Sequence, residues 1–346
     1  MKTRESNIEL LRIIAACCVV FSHMYPIISQ SLSDGTGGGN LLISKIFLSF
    51  SICAVNVFIL ITGYFSCKTQ KRNIGKPLNL IILMVAMDLA SYVLQLVAGV
   101  QSFSLNGLLL HSFPVNYFVT LFVVLYIMSP YINLCINKLS EKGMMRFVLI
   151  LFLVFSIYPS FIDILEEILG HQIKGISPIG RLGSQNGYNI VNFVMVYCIG
   201  AFLNSNKIKE LVDKRKYLPA VVVVVSTASI FVWNHFSHSA VNYHNPFVIL
   251  LAVSIILAFK QIHFTSKDIN ELAKAAFTAF LLHVHIIHYI HIDYFSKQSS
   301  LVFVMFFLSS ITAIYLVSWV AWWIYDKLTK PVFMRLNQIQ IPYILD

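Results

Sequence analysis

Apolar residues gather along this chain into about ten blocks, separated by short polar stretches. The blocks run approximately over 8–29, 42–66, 75–98, 116–137, 147–165, 188–204, 218–236, 246–261, 271–292 and 301–325. Most hold about 20 residues, enough for a helix to cross roughly 30 Å of hydrocarbon. Strands of a membrane barrel would alternate apolar and polar residues with a period of two, and these blocks do not. The pattern therefore predicts an all-α fold, a polytopic transmembrane helical bundle of about ten spans. The block at 246–261 is short for a span, so it is expected to be tilted, partly buried or extended by its neighbours. No polar stretch is long enough for an appended soluble domain, and residues 1–346 read as a single membrane domain.

Composition agrees with this reading, and charge adds an orientation. The chain is 58% hydrophobic and only 12% charged, against about 25% charged for a soluble domain. Placing the N-terminus in the cytoplasm makes the loops alternate in, out, in. Only Lys45, Lys174, Arg181 and Lys297 then fall outside, and every other Lys and Arg except the intramembrane Arg12 falls inside. This is the positive-inside asymmetry, and it predicts that both ends are cytoplasmic. The net charge of +10 is thereby read as topology. A nucleic-acid surface is disfavoured because the basic residues are divided among short loops. The first block is longer than a signal-peptide core and is expected to stay as the first helix. The six cysteines show no CxxC spacing and read as structural thiols. The outer stretch 163–187, with Asp163, Glu166 and Glu167, is expected to be a loop able to meet an extracellular substrate. The basic stretch 204–217 is expected to lie against anionic lipid.

Chemistry enters with the first span. Arg12 and His23 are eleven residues apart, about three helical turns plus 20°, so they share one stripe roughly 16 Å long. Ionisable groups inside a span are expensive and are functional candidates by default. Singly, each has a plainer reading: Arg12 snorkels to the interface and His23 makes a structural hydrogen bond. Two on one stripe favour function.

An arginine followed after ten residues by a histidine in the first span resembles the signature of the membrane acyltransferase family 3, which contains bacterial O-acetyltransferases of capsule, lipopolysaccharide and other glycans. The resemblance continues in order along most of the chain. VNVFILITGYF at 55–65 is similar to the family's phenylalanine-rich second span, and KTQKRNIGK at 68–76 to the basic loop after it. YFVTLFVVLYIMSPYIN at 117–133 resembles the fourth span, with Tyr117 where tryptophan is usual. GYNIVNFVMVYCIGAFL at 187–203 and AKAAFTAFLLHVH at 273–285 resemble later motifs, the latter with Phe280 in place of tyrosine. What the resemblance implies is a membrane-bound O-acyltransferase of the bacterial cytoplasmic membrane. It would move an acetyl-type group from acetyl-CoA, a donor substrate rather than a resident cofactor, to a sugar hydroxyl of a surface polysaccharide or its lipid-linked precursor.

Acyl transfer to a hydroxyl needs a base, and a histidine with a pKa near 6.5 suits the task. His23 is the candidate, with Arg12 beside the donor's path. Asp88, alone in the third span, is added to the catalytic set: it could orient His23, neutralise Arg12 or simply be protonated. Lys68, Lys71 and Arg72, with Lys76, are the candidate cradle for coenzyme A phosphates, although any cytoplasmic loop is basic. Asn56, Tyr64 and His283 are assigned to substrate or channel lining, Asn56 also as a donor to the developing oxyanion. His283, His285, His288 and His291 point in different directions around a helix, given its 3.6-residue turn. They do not converge, and no metal site is expected. A rival of another class is a transporter or flippase for a glycan or lipid, which intramembrane Arg, His and Asp would also suit. The inverted repeats and broken helices of carriers are not detected.

Overall fold

A computed structural model describes residues 4–341 except 34, 36, 115, 172 and 174–184. The described residues are overwhelmingly helical. Their only β pairing is an isolated bridge between Asn73 and Gln340. In chain order the helices are α1 (Ser6–Ser31), α2 (Gly38–Ser51), α3 (Ala54–Ser66), α4 (Gly75–Val97), α5 (Leu105–Ser112), α6 (Tyr117–Asn137), α7 (Glu141–Phe152), α8 (Tyr158–Leu169), α9 (Ile190–Leu203), α10 (Asn206–Lys214), α11 (Leu218–Trp233), α12 (Pro246–Lys260), α13 (Lys267–Leu272), α14 (Ala276–Ile287), α15 (Ile292–Ser296) and α16 (Ser300–Leu336). Short polar residues start many of them. Asn116 accepts from the backbone N–H of Phe118 and Val119, Ser140 from Gly143, Asn189 from Asn192 and Ser266 from Ile269. Such caps satisfy donors that a helix start leaves unpaired.

Each apolar block of the sequence corresponds to helix, but the lengths differ from the expectation of about ten spans. Among the described residues, seven helical stretches are long and apolar enough to cross a membrane, or eight if α10 and α11, bent by 91° at their junction, count as one. The block at 188–204 forms α9, of only 14 residues. The block at 271–292 is broken, leaving α14 with 12 residues. Both fall short of the roughly 20 residues a span requires. The short block at 246–261 is extended by its neighbour, as the stretch His238–Lys260.

The expected outer loop 163–187 also differs where it is described, while its Lys174 and Arg181 lie outside the described residues. Asp163 and Glu166 are buried on α8. Asp163 accepts from Asn242 Nδ2 at 2.9 Å and lies 3.1 Å from His244 Nε2. Ser156, in the π-helical turn between α7 and α8, donates to His244 O at 2.6 Å. This polar knot ties the turn to the segment before α12.

At the centre, α1 packs on α14, α2 and α3, and α3 packs on α9. Gly63 and Gly200 create the α3–α9 crossing. A Cβ at Gly63 would lie 2.2 Å from Tyr197 O, and one at Gly200 would lie 2.4 Å from Leu60 O. Small residues of this kind let two backbones meet inside a membrane protein. The 37-residue α16 is roughly 56 Å long at 1.5 Å per residue, longer than the hydrocarbon core. Beyond it the chain returns to the loop before α4: Ile74 N–H donates to Ile339 O at 3.0 Å and Ile341 N–H to Arg72 O at 2.8 Å. Arg4 and Lys68 line one cavity, so both described chain ends lie at the same end of the bundle.

Candidate functional site

That end holds a cavity of about 1200 Å³, walled by the start of α1, the end of α3, α10 and the end of α12. It is larger than the usual ligand pocket of about 300–1,000 Å³. Arg4, Arg12, Lys68, Lys209, Lys216 and Lys260 line it, against three carboxylates, Glu5, Glu9 and Asp213. The excess of cations suits an anionic ligand. The basic stretch 204–217, expected against lipid, thus contributes Lys209 and Lys216 to the cavity wall.

Several buried contacts shape this wall. Asn133 on α6 donates to Ser66 O and Thr69 O at 2.8 and 2.7 Å, bracketing Lys68, and accepts from Tyr197 Oη at 2.9 Å. Lys260 pairs with Glu5 and lies 5.1 Å from the Tyr64 ring centroid, so Tyr64 is part of the cavity wall. Arg12 lies on the first turns of α1. Its Nη1 donates to Glu9 at 3.4 Å, which engages one of the guanidinium's five N–H donors. Glu9, not Asp88, neutralises Arg12.

Arg72 is placed differently from Lys68. Its side chain is buried, its Nε and Nη2 both donate to Ser129 Oγ at 2.9 and 2.7 Å, and its guanidinium lies 4.9 Å from the Tyr126 ring centroid. It is not among the residues lining the cavity. Lys71 beside it is exposed. Lys76 lies within reach of the charges of Arg12 and Arg72.

Three turns beyond Arg12 on α1, His23 keeps an accessible side chain. Its ring centroid is 4.7 Å from that of His283 on α14. His283 is buried, and its Nδ1 lies 3.2 Å from Ala279 O. A carbonyl only accepts, so Nδ1 carries the proton and Nε2 presents a lone pair. That Nε2 has no hydrogen-bond partner among the described residues. The structure therefore brings two of the sequence candidates, His23 and His283, into one pair.

Asp88 is not in that pair. Its Oδ1 accepts from His285 Nε2 at 2.8 Å, on the α14 face that meets α4. The proposed pairing of Asp88 with His23 is corrected accordingly: α4 packs on α14 rather than on α1, and the helix that carries His283 lies between them. Nearby, the His111 ring is 6.5 Å from His285 and stacks 4.8 Å from Tyr92. Asn56 is buried and donates Nδ2–H to Tyr243 O at 2.8 Å, which holds the segment before α12. Asn56 does not line the cavity.

Sequence reasoning missed Glu9, Lys209, Lys216, Lys260 and His285 as members of the two sites. Glu9 precedes Arg12 by three residues, a helical neighbour spacing that was available as a signal. The lysines and His285 carried no such local sign. Among the described residues, no group of three or more His, Cys, Asp or Glu is placed to hold a metal ion.

The family model described as an acyltransferase domain, of the acyltransferase 3 type, matches residues 5–323. No curated protein and no solved structure matches significantly. The matched stretch contains the cationic cavity apart from Arg4, the His23–His283 pair and the Asp88–His285 pair, and covers nearly all of the chain. The chain therefore belongs to the acyltransferase 3 family and is a multi-pass membrane acyltransferase.

Proposed function

We propose that this protein transfers an acetyl-type group from cytoplasmic acyl-CoA to a sugar hydroxyl of a surface polysaccharide or its lipid-linked precursor, in a bacterial cytoplasmic membrane. The observation that carries this reading is the cavity beside Arg12 and its excess of cations over carboxylates. Coenzyme A is polyanionic and is made in the cytoplasm, the side to which charge asymmetry assigns Lys68 and Lys71. Lys68, Lys209 and Lys216 meet the phosphates as point charges, with Lys71 at the rim. Arg72 acts from behind, holding the loop through Ser129. The donor's pantetheine arm runs past Tyr64 and Arg12 along α1 toward His23.

There the acceptor hydroxyl oxygen attacks the thioester carbonyl carbon while His23 takes the hydroxyl proton. The carbon–sulfur bond breaks as the tetrahedral intermediate collapses, and the proton passes from His23 to the departing thiolate. The products are the sugar ester and free coenzyme A, with no net proton change. His283 supports His23 from α14. Asp88 acts as a positioning residue through His285 on the same helix, and Asn56 fastens α3 to the segment at Tyr243.

The test is to give purified, vesicle-embedded protein labelled acetyl-CoA and a glycan acceptor. Label on a glycan hydroxyl, with release of free coenzyme A, supports the reading. Movement of intact glycan across the vesicle without label transfer contradicts it and favours a carrier.

A further inference from the structure

Beside the large cavity lies a second hollow of about 260 Å³, and Lys68 and Asn204 line both. The two residues form a sill between them. The smaller hollow has a divided lining. Ile136, Met144 and Phe202 give it apolar surface, while Asn137 and Glu141 give it polar groups. Each of these polar side chains commits one atom to the fold and keeps another. Asn137 donates Nδ2–H to Cys67 O at 2.9 Å, which leaves its Oδ1 as an acceptor. Glu141 accepts the Asn206 N–H on Oε1 at 3.1 Å, which leaves Oε2.

The charge of the hollow narrows the choice of ligand. Among the described residues, its only cation is Lys68, on the sill, and its only carboxylate is Glu141. A phosphate inside would face Glu141, whereas a neutral ring with apolar faces and a hydrogen-bonding edge would not. Adenine has that form: two flat faces, an exocyclic amino group that donates, and ring nitrogens that accept. Glu141 Oε2 and Asn137 Oδ1 are acceptors for the amino group.

We infer that the small hollow is the adenine subsite of a two-chambered acyl-CoA site. The donor's diphosphate crosses the Lys68–Asn204 sill into the large cavity, where Lys209 and Lys216 face it, and its pantetheine arm continues through that cavity. The inference rests on the acyl-CoA reading above and adds a selectivity to it: the protein prefers coenzyme A thioesters over donors that carry pantetheine without adenosine.

The experiment measures displacement of labelled acetyl-CoA from the purified full-length protein by coenzyme A and by 4′-phosphopantetheine. In the wild type, coenzyme A should compete at least about tenfold better, the worth of one to two well-placed hydrogen bonds. Asn137→Ala and Glu141→Gln should each reduce that ratio several-fold while leaving competition by 4′-phosphopantetheine unchanged, which also certifies folding. Equal competition in the wild type overturns the subsite and leaves the donor reading intact, as does an undiminished ratio in both variants. Failure of the wild type to bind acetyl-CoA at all overturns the donor reading and this inference with it.

Discussion

The ring of His23 packs 4.7 Å from the ring of His283, joining the first helix to α14 inside the bundle. One partner is accessible and the other buried. The buried ring is fixed by its bond to Ala279 O and presents an unpartnered Nε2. In the proposed reaction His23 is the group that meets substrate and His283 the group that holds it. His283→Gln can keep a donor near Ala279 O and a polar atom toward His23, so it should retain part of the activity. His283→Leu removes both and should lower kcat by about 10–100-fold with the KM for acetyl-CoA little changed, since the cavity proposed for the donor's phosphates lies elsewhere. Steady-state kinetics of the two variants checks this, and equal kcat in both would contradict it.

Lys209 and Lys216 are expected to act on the donor by charge. Lys209→Ala and Lys216→Ala should each weaken acetyl-CoA binding by about three- to tenfold at low ionic strength. The loss should shrink as salt rises, because exposed charges are screened. Titration of labelled acetyl-CoA at two salt concentrations measures both effects.

Arg72 should behave otherwise, because its fork is engaged by Ser129. Arg72→Ala and Ser129→Ala are expected to weaken donor binding by similar factors and to lower the unfolding temperature together, as loss of one buried contact seen from its two ends. A large binding defect in Arg72→Ala with none in Ser129→Ala would instead put the guanidinium on the donor itself.

For Asp88, the partner is His285. Asp88→Asn keeps an acceptor for the His285 N–H but not the charge, and should reduce kcat by about tenfold. Asp88→Leu leaves the N–H unpaired and should lower kcat further, with acetyl-CoA affinity unchanged in both. Comparison of kcat with KM separates this positioning role from a general loss of fold.

The crossing of α3 and α9 should tolerate no side chain. Gly200→Ala would bring a Cβ to 2.4 Å from Leu60 O, and backbone cannot move aside cheaply. A cost of about 1–3 kcal/mol is expected for such overpacking, read as a lower midpoint of thermal unfolding in detergent.

The helical membrane fold was legible because lipid imposes long apolar runs on the sequence. What the runs did not reveal is where they break. The block at 42–66 divides into α2 and α3, and the block at 271–292 divides ahead of α14, without a proline at either break. Arg12 and His23 could be picked out because both are ionisable and lie on one stripe of one helix. His283 was singled out by its motif, but its contact with His23 depends on how α14 packs against α1, which no local pattern encodes. The same holds for Asp88, whose depth in α4 matched His23 while its partner came from another helix. The cavity lysines were hidden for a different reason. Basic residues flank every span as a topology signal, so Lys209 and Lys216 look like any others until the fold brings them to the cavity that Arg12 also lines.

The central claim is that His23 is the base in acyl transfer, and the most direct test is acetyl transfer per correctly inserted molecule for His23→Gln. Glutamine can hydrogen-bond in the same place but cannot take a proton near neutral pH, so the rate should fall by about 10²–10⁴-fold while acetyl-CoA binding and membrane insertion stay normal. A rate near that of the wild type would contradict the assignment and reduce the His23–His283 pair to a structural contact.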